Sequence, residues 1–313
     1  MVANTQLIKK WFSRAQWKHD RRLRRDRERM EGIVARRATA LSVHFQHLAL
    51  NQREAGVQKN AKPVVVSLTT FDKRLNDVHL TIESLFQQSR KADRVVLWLS
   101  EDDCQPEDVP EILRLQQRRG LELRFVEKNL GPYKKFFYAL NAFPDALLLT
   151  VDDDVFYPLD MIDQLYRAHC RDPEVIHCHR AHGIRLGEGN QLLPYKQWDW
   201  GLAGGQASRL VFPTGIGGVL YFPGCFDDEI HNEAAFQRLA PNADDVWLKA
   251  MSLKKGVACH KLENSRDWAR RFVSLEGSQT YSLKRKNKSK RSGNDLQLQA
   301  VFDEYGLWDQ LRG

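Results

Sequence analysis

The chain lacks long apolar runs and is poor in cysteine. No stretch approaches the roughly 20 apolar residues that a membrane-spanning helix needs. The start, Met1 to Lys10, is followed by basic and aromatic residues where a signal peptide would have its apolar core. The five cysteines are odd in number and include no Cys-x-x-Cys pair, which favours reduced thiols. We therefore expect a cytoplasmic protein.

Glycine is missing where common nucleotide-binding loops require it. No Gly-x-Gly-x-x-Gly follows the first apolar run, Val64 to Leu68, which counts against a dinucleotide-binding dehydrogenase. No Gly-x-x-x-x-Gly-Lys-Ser/Thr occurs anywhere, which counts against a P-loop NTPase. Ser67 to Phe71 also contains no glycine, which disfavours a nucleotidyltransferase with a glycine-rich loop after its first strand.

Positive charge is concentrated in an N-terminal arm, residues 1–60. The arm holds 14 Lys and Arg against 5 Asp and Glu, whereas the other 253 residues hold 34 against 35. Trp11, Phe12 and Trp17 lie among its basic residues. The arm therefore fits a solvated helix, a peripheral contact with an anionic membrane, or a partner protein, with nucleic acid less favoured. Apolar residues at helical spacing over 35–50 predict docking on the body.

From Pro63 onwards, apolar runs alternate with amphipathic stretches. The predicted strands span residues 64–68, 94–99, 121–126, 146–151, 175–178, 217–222 and 257–260. The predicted helices span residues 78–86, 106–119, 133–142, 160–171 and 295–311. This alternation predicts right-handed βαβ units and an open, mainly parallel α/β sheet. We expect one domain over 61–305, with halves at 61–155 and 156–305, and a tail at 306–313.

Polar clusters follow the first, second and fourth predicted strands. They are Thr69-Thr70, Asp102-Asp103 and Asp152-Asp153-Asp154. Ligands of such sheets bind beyond the carboxyl ends of the strands. Apolar residues flank the aspartate triplet, and close carboxylates resist ionising together. A Mg²⁺ or Mn²⁺ ion, held by one or two carboxylates and substrate phosphates, would resolve this repulsion. The triplet thus indicates an enzyme with a phosphorylated substrate.

Two later segments add to this interpretation. Asp244-Asp245 begins a predicted helix, where acids either stabilise the helix dipole or perform chemistry. The stretch Gly183 to Gly218 is rich in glycine and tryptophan, which is typical of a shaped surface for sugar rings.

Together these motifs resemble the GT-A glycosyltransferases, and more closely the family 2-like bacterial enzymes that build capsule or lipopolysaccharide. The resemblance covers roughly residues 63–305. Three segments carry it: Asp152-Asp153-Asp154 as the DXD motif, the turn Asn129 to Lys135, and Ala243 to Trp247 in the place of the catalytic acids.

The resemblance implies a metal-dependent transfer from a nucleotide-sugar, most simply a UDP-sugar, to a glycan or lipid-linked acceptor. Inversion would need a base, for which Asp245 is the first candidate and Asp244 the second. A retaining transferase remains an alternative. The non-enzymatic alternative is a binding module that works through the basic arm.

The resemblance also implies roles on the donor side. Asp154 would bind the metal, Asp152 the metal or the ribose, and His260 would be a further metal ligand. Alternation along an extended segment predicts that Asp152 and Asp154 share a face while Asp153 faces away. The remaining donor-binding candidates are Thr69, Thr70, Arg74, Asp102, Asp103, Lys134, Lys135 and Asp153.

Overall fold

A seven-stranded sheet forms the centre of the protein. The computed structural model describes residues 2–188, 191–264, 268–275 and 293–312, with the side chains of 2–15, 73 and 312 left undescribed. The strands are β1 (Val64–Thr69), β2 (Arg94–Ser100), β3 (Leu121–Val126), β4 (Leu147–Thr150), β5 (Val155–Phe156), β6 (Ile176–Cys178), β7 (Ala181–Gly183), β8 (Val211–Pro213), β9 (Val219–Tyr221), β10 (Cys259–Lys261) and β11 (Val273–Ser274). Their order in the large sheet is β10-β6-β9-β4-β1-β2-β3.

The large sheet is mainly parallel. Strands β4, β1, β2 and β3 run side by side in one direction, and β10 is parallel to β6. Only β9 is antiparallel to its neighbours, β4 and β6. Two short antiparallel pairs, β5–β11 and β7–β8, lie outside this sheet. The expected open and mainly parallel α/β sheet is therefore confirmed.

Helices cover both faces of the sheet. They are α1 (Val2–Asn51), α2 (Val78–Phe86), α3 (Glu111–Gln117), α4 (Lys134–Ala142), α5 (Met161–Arg171), α6 (Glu233–Leu239), α7 (Asp244–Lys254), α8 (Trp268–Arg271) and α9 (Asn294–Tyr305). Successive strand residues point to opposite faces. Val65 accordingly packs into one core with α4, α6, α7 and α9, while Val64 and Val66 pack into the other with α2, α3 and α5.

Two predicted helices are shorter than expected. Residues 106–119 divide into a 3-10 turn, Pro106–Asp108, and α3, because Pro110 cannot continue a helix. The predicted helix 295–311 ends at Tyr305, where Gly306 adopts a left-handed conformation with φ of 62°. No helix within the described ranges is long and apolar enough to cross a membrane.

Helix α1 is partly docked and partly projecting. Residues 16–29 are all exposed, and Trp17 is 60% exposed. Farther along, Ala38 and Phe45 pack into a third apolar cluster, whose other members are Leu80, Phe156, Val273 and Leu275. Because Phe156 and Val273 belong to the β5–β11 pair, α1 buries the strand that follows the aspartate triplet.

Candidate functional site

The aspartate triplet lies in a turn between β4 and β5. Arg74 donates to Asp153 Oδ1 at 2.6 Å and to Asp154 Oδ2 at 3.0 Å. Asp152 instead accepts from Lys135 Nζ at 2.9 Å. The expected arrangement, with Asp152 and Asp154 on one face and Asp153 on the other, is therefore wrong. Strict alternation requires extended backbone, which a turn does not provide.

Asp153 is committed to contacts within the protein. Its Oδ2 accepts from the Thr70 hydroxyl at 2.6 Å, and its side chain is 5% exposed. Burial raises the pKa of Asp153, against the lowering effects of Arg74 and Thr70. The Thr69 hydroxyl donates to the carbonyl oxygen of Trp98 at 2.8 Å. Thus the hydroxyl protons of both threonines already have acceptors in the fold.

Lys135 brings the two acidic motifs together. Its Nζ lies 2.9 Å from Asp152 Oδ1 and 2.9 Å from Asp244 Oδ2. These two oxygens are therefore within about 6 Å of each other, although about ninety residues separate them in sequence. Burial lowers the pKa of Lys135, but Asp152, Asp244 and Asp245 outweigh it and raise that pKa well above its usual value.

Asp245 completes this group, which we call the acid–lysine cluster (Lys135, Asp152, Asp244 and Asp245). Its carboxylate accepts from the Gly215 N–H, with distances of 3.1 and 3.3 Å. A Cβ on Gly215 would lie 3.1 Å from both Asp152 Oδ1 and Lys135 Nζ. Burial and then the charge of Asp244 raise the pKa of Asp245 well above its usual range, against Lys135 and Gly215.

The first turn of α4 carries two lysines, although positive charge is normally disfavoured at the start of a helix. Positive charge there opposes the helix dipole, yet Lys134 and Lys135 are 1% and 5% exposed. Lys134 donates to Asp103 Oδ2 at 2.9 Å, and Asn129 donates to the same oxygen at 3.0 Å. Such conflicts between local preference and observed structure concentrate at functional sites. The lysines are held there by carboxylates from other elements.

Two predicted site residues stand apart from the cluster. Asp102 is exposed in the turn after β2. His260 lies in β10, at the sheet edge, with its Nδ1 3.2 Å from His177 Nδ1. Three strand spacings of about 4.8 Å separate β10 from β4, or about 14 Å. His260 therefore lies well apart from the aspartate triplet along the sheet, and its role as a metal ligand stays a prediction.

The carboxylates suit a cation that arrives with a ligand. Among the described residues, no three His, Cys, Asp or Glu side chains converge as a metal-binding group. The acid–lysine cluster nevertheless sets three carboxylates against one ammonium group, and the Asp152 side chain is 30% exposed. Mg²⁺ commonly uses one or two carboxylates and takes its other ligands from phosphate and water. The residues fit that mode and do not form a complete protein cage.

The structure adds Gly215 and Arg180 to the residues expected from the sequence. Gly215 could have been found from its place in the run Gly215 to Gly218, where a close backbone approach is a common reason for glycine. Arg180, after β6, has no comparable sequence signal. Its Nη1 donates to Thr214 Oγ1 at 3.1 Å.

The glycine- and tryptophan-rich stretch forms an aromatic group near β7 and β8. Trp200 is 51% exposed, and its ring centroid lies 4.4 Å from that of His182 and 5.2 Å from that of Tyr195. Burial and then the charge of Asp245 raise the pKa of Tyr195 to about 12. Tyr195 therefore lies within electrostatic reach of Asp245.

Comparisons with known proteins return only distant structural matches. No protein-family profile and no curated protein matches the sequence. The mannosyltransferase PcManGT from Pyrobaculum calidifontis, solved with GDP-Man and Mn²⁺, matches at 13% identity and a TM-score of 0.41, over 75% of this chain and 65% of that one. S. aureus TarS 1-349 matches at 12% identity and a TM-score of 0.44, over 78% and 71%.

A synthetase solved with CTP also matches. The synthetase for CMP:2-keto-3-deoxy-manno-octonic acid, solved with CTP, has 10% identity and a TM-score of 0.38, over 64% of this chain and 90% of that one. At such identities and TM-scores, we transfer no activity, ligand or partner to this chain from any of these structures.

Proposed function

We propose that the protein is a metal-dependent glycosyltransferase. It moves a sugar from a nucleotide-sugar, most simply a UDP-sugar, to a glycan or lipid-linked acceptor in bacterial capsule or lipopolysaccharide synthesis. The observation that carries the proposal is the acid–lysine cluster, because it joins a donor-side acid at the end of β4 to a candidate base at the start of α7.

The acids divide between the two substrates. Asp154 would hold Mn²⁺ or Mg²⁺ together with the donor, and Asp152, which pairs with Lys135 instead of Arg74, would contact that ion or the ribose. Such a cation offsets the charge that grows on a diphosphate leaving group. Asp245 takes the proton of the acceptor hydroxyl, with Asp244 as the second candidate. A base works best when its pKa lies near the working pH, and the raised pKa of Asp245 moves it in that direction. Inversion at the sugar carbon follows from direct attack by that hydroxyl.

The remaining donor contacts surround the triplet. Arg74 and Lys134 are cations beside the strand ends, and we assign them to the nucleotide phosphates or ribose. Asp102 and Asp103, after β2, are assigned to the base. Since the hydroxyl protons of Thr69 and Thr70 are already donated within the protein, these residues would contact the donor through backbone groups or hydroxyl lone pairs.

A panel of nucleotide-sugars tests the proposal directly. Donor hydrolysis and transfer are measured with Mn²⁺ and with a chelator. We expect turnover of at least one donor that requires the metal, and loss of that turnover in Asp154→Asn with the fold intact. The matched control is Asp163→Asn, which removes another arginine-paired carboxylate, 3.0 Å from Arg90 and outside the cluster. Metal-independent turnover, or full activity in Asp154→Asn, would contradict the assignment. Pyrophosphate release from a nucleoside triphosphate and a sugar phosphate would indicate nucleotidyl transfer.

We also propose that the projecting part of α1 contacts an anionic membrane surface. Residues 16–29 are exposed, carry seven Lys and Arg against three Asp and Glu, and include the exposed Trp17. Basic residues with an interfacial aromatic favour such a surface. Sedimentation with phosphatidylserine vesicles, but not with phosphatidylcholine vesicles, is expected for the full chain. Replacing Arg21, Arg22, Arg24 and Arg25 by glutamine should abolish it, and undiminished sedimentation of that variant would disprove the contact.

A further inference from the structure

Arg180 is a half-buried cation without a carboxylate partner. Its guanidinium donates to Thr214 Oγ1 at 3.1 Å and lies over the Trp268 ring, 5.6 Å from the ring centroid. It makes no ion pair with any carboxylate of the described residues. In contrast, the buried Arg119 and Arg271 each hold a carboxylate at 2.8 Å.

An unpaired cation in this position is unfavourable for the protein alone. Removing a charge from water is costly unless it gains a partner. Burial accordingly lowers the pKa of Arg180, with only partial compensation from Tyr195, Asp245 and Asp152. An anionic group supplied by a ligand would provide the missing partner, and guanidinium groups match the geometry of carboxylate and phosphate.

Arg180 lies beside the glycine turn that contacts Asp245, the candidate base. A Cβ on Gly217 would lie 2.8 Å from the Arg180 backbone nitrogen and 3.1 Å from the Trp268 ring. The glycine turn that donates to Asp245 through Gly215 therefore packs directly against Arg180 and Trp268. Tyr195 lies close enough to Arg180 to act on its pKa, and the exposed ring of Trp200 lies 5.2 Å from the Tyr195 ring. Such an aromatic ring suits the apolar face of a sugar.

We propose that Arg180 binds a carboxylate or phosphate oxyanion carried by the acceptor sugar, so that the enzyme selects an acidic glycan as its acceptor. This inference rests on the proposed glycosyltransferase function. The donor diphosphate is the other possible source of the same oxyanion chemistry. The glycine turn that packs against Arg180 also holds the Gly215 N–H that donates to Asp245, the candidate base, and on that contact we assign the oxyanion to the acceptor.

Three matched probes test the proposal by binding. They are methyl β-D-glucoside, methyl β-D-glucoside 6-phosphate and methyl β-D-glucuronide, which differ only at C6. Their dissociation constants are measured by tryptophan fluorescence and ligand-observed NMR on the full chain with UDP and Mn²⁺. We expect at least one anionic probe to bind about tenfold or more tightly than the neutral one. No preference in the wild-type protein would overturn the proposal.

Variants then assign the preference to Arg180. Arg180→Gln should abolish it, and Arg180→Lys should restore part of it. The control is Arg185→Gln, since Arg185 is 57% exposed and lies 3.7 Å from Asp199. It should change none of the constants. A preference that persists in Arg180→Gln would overturn the proposal.

The affinity for UDP separates the two sources of the oxyanion. We expect it to be unchanged in Arg180→Gln, and a loss of UDP affinity with no change for the sugars would move Arg180 to the donor and overturn the acceptor assignment. Metal-dependent donor hydrolysis by the wild-type protein is measured in parallel. Its absence would defeat the proposed function while leaving the anion preference and its dependence on Arg180 as an independent result.

Discussion

Asp245→Asn should make the protein more stable and inactive. The substitution removes one negative charge from the acid–lysine cluster and keeps an oxygen for the Gly215 N–H. The pKa of Asp245 is raised because burial and Asp244 together outweigh the attraction of Lys135 and the Gly215 hydrogen bond. The ionised carboxylate is thus a net cost to the folded state, and asparagine relieves it.

The magnitude follows from linkage. Each unit by which a folded-state pKa exceeds the unfolded value costs about 1.4 kcal/mol once the group is ionised in both states. The favourable dipole contribution of a first-turn acid is only about 0.3–1 kcal/mol. Since Asp245 retains some solvent exposure, we expect a net stabilisation of about 1–3 kcal/mol at pH 8.

The sign of the contribution of Asp245 to stability follows from its pH dependence. An acid whose folded pKa lies above its unfolded value, about 3.9, lowers stability as the pH rises from that value through the folded pKa. Wild-type protein should therefore lose stability over that interval relative to Asp245→Asn. The difference between them should be small near pH 4 and largest above pH 8.

Urea unfolding at pH 5 and pH 8 measures this difference, and a transfer assay measures the loss of activity. Glu233→Gln is the control, because Glu233 is an ordinary first-turn acid in α6, 3.0 Å from Lys128. It should lose about 0.3–1 kcal/mol. If Asp245→Asn were instead destabilised at pH 8 like this control and still active, Asp245 would be a helix-start acid and not a base.

Four further outcomes are expected. The acidic limb of kcat/KM should lie at a higher pH than for an ordinary carboxylate, since a base must be deprotonated; a flat profile from pH 5 to 8 would contradict this. Calorimetry should show Mn²⁺ binding at least tenfold more tightly with UDP than without, because the described residues offer no complete cage for the ion; equal affinities would show that Mn²⁺ binding does not depend on the ligand. Gly215→Ala should strongly reduce donor turnover while changing the free energy of unfolding little, because the added Cβ would crowd two side chains of the acid–lysine cluster. Unchanged turnover would mean that the Gly215 turn is not part of the site. Phe45→Ala should cost about 3 kcal/mol in urea unfolding, whereas Val43→Ala, at a 67% exposed position of the same helix, should cost less than about 0.5 kcal/mol; equal effects would mean that α1 is not docked.

Much of the sheet could be predicted because its signals are local. The apolar runs that became β1, β2, β3 and β4 are β-branched or leucine-rich, and both faces of the sheet are covered. The direction of β9 could not be predicted. A run of apolar residues bounded by glycines has the same pattern whether its strand is parallel or antiparallel to its neighbours.

The candidate site was partly predictable for the same reason. The aspartate triplet follows β4, and Asp244-Asp245 begins α7, as their sequence contexts indicate. Lys135 was assigned to the nucleotide on its position alone, whereas in the fold it joins the two acidic motifs. The pairing of Asp153 with Asp154 on Arg74 also depends on the turn, which alternation along a strand does not describe.

The class of fold, the sheet edge at which polar residues gather and the residue types available for metal and proton chemistry can all be read from the chain. Short-range periodicity and the chemistry of single side chains are sufficient for these. Which charges meet depends on the folded arrangement. It placed Lys135 between acids about ninety residues apart, put three strands between His260 and the triplet, and gave Arg180 no carboxylate among the described residues. Electrostatic energies depend on distances across the fold, and those distances follow from packing between elements that are remote in sequence.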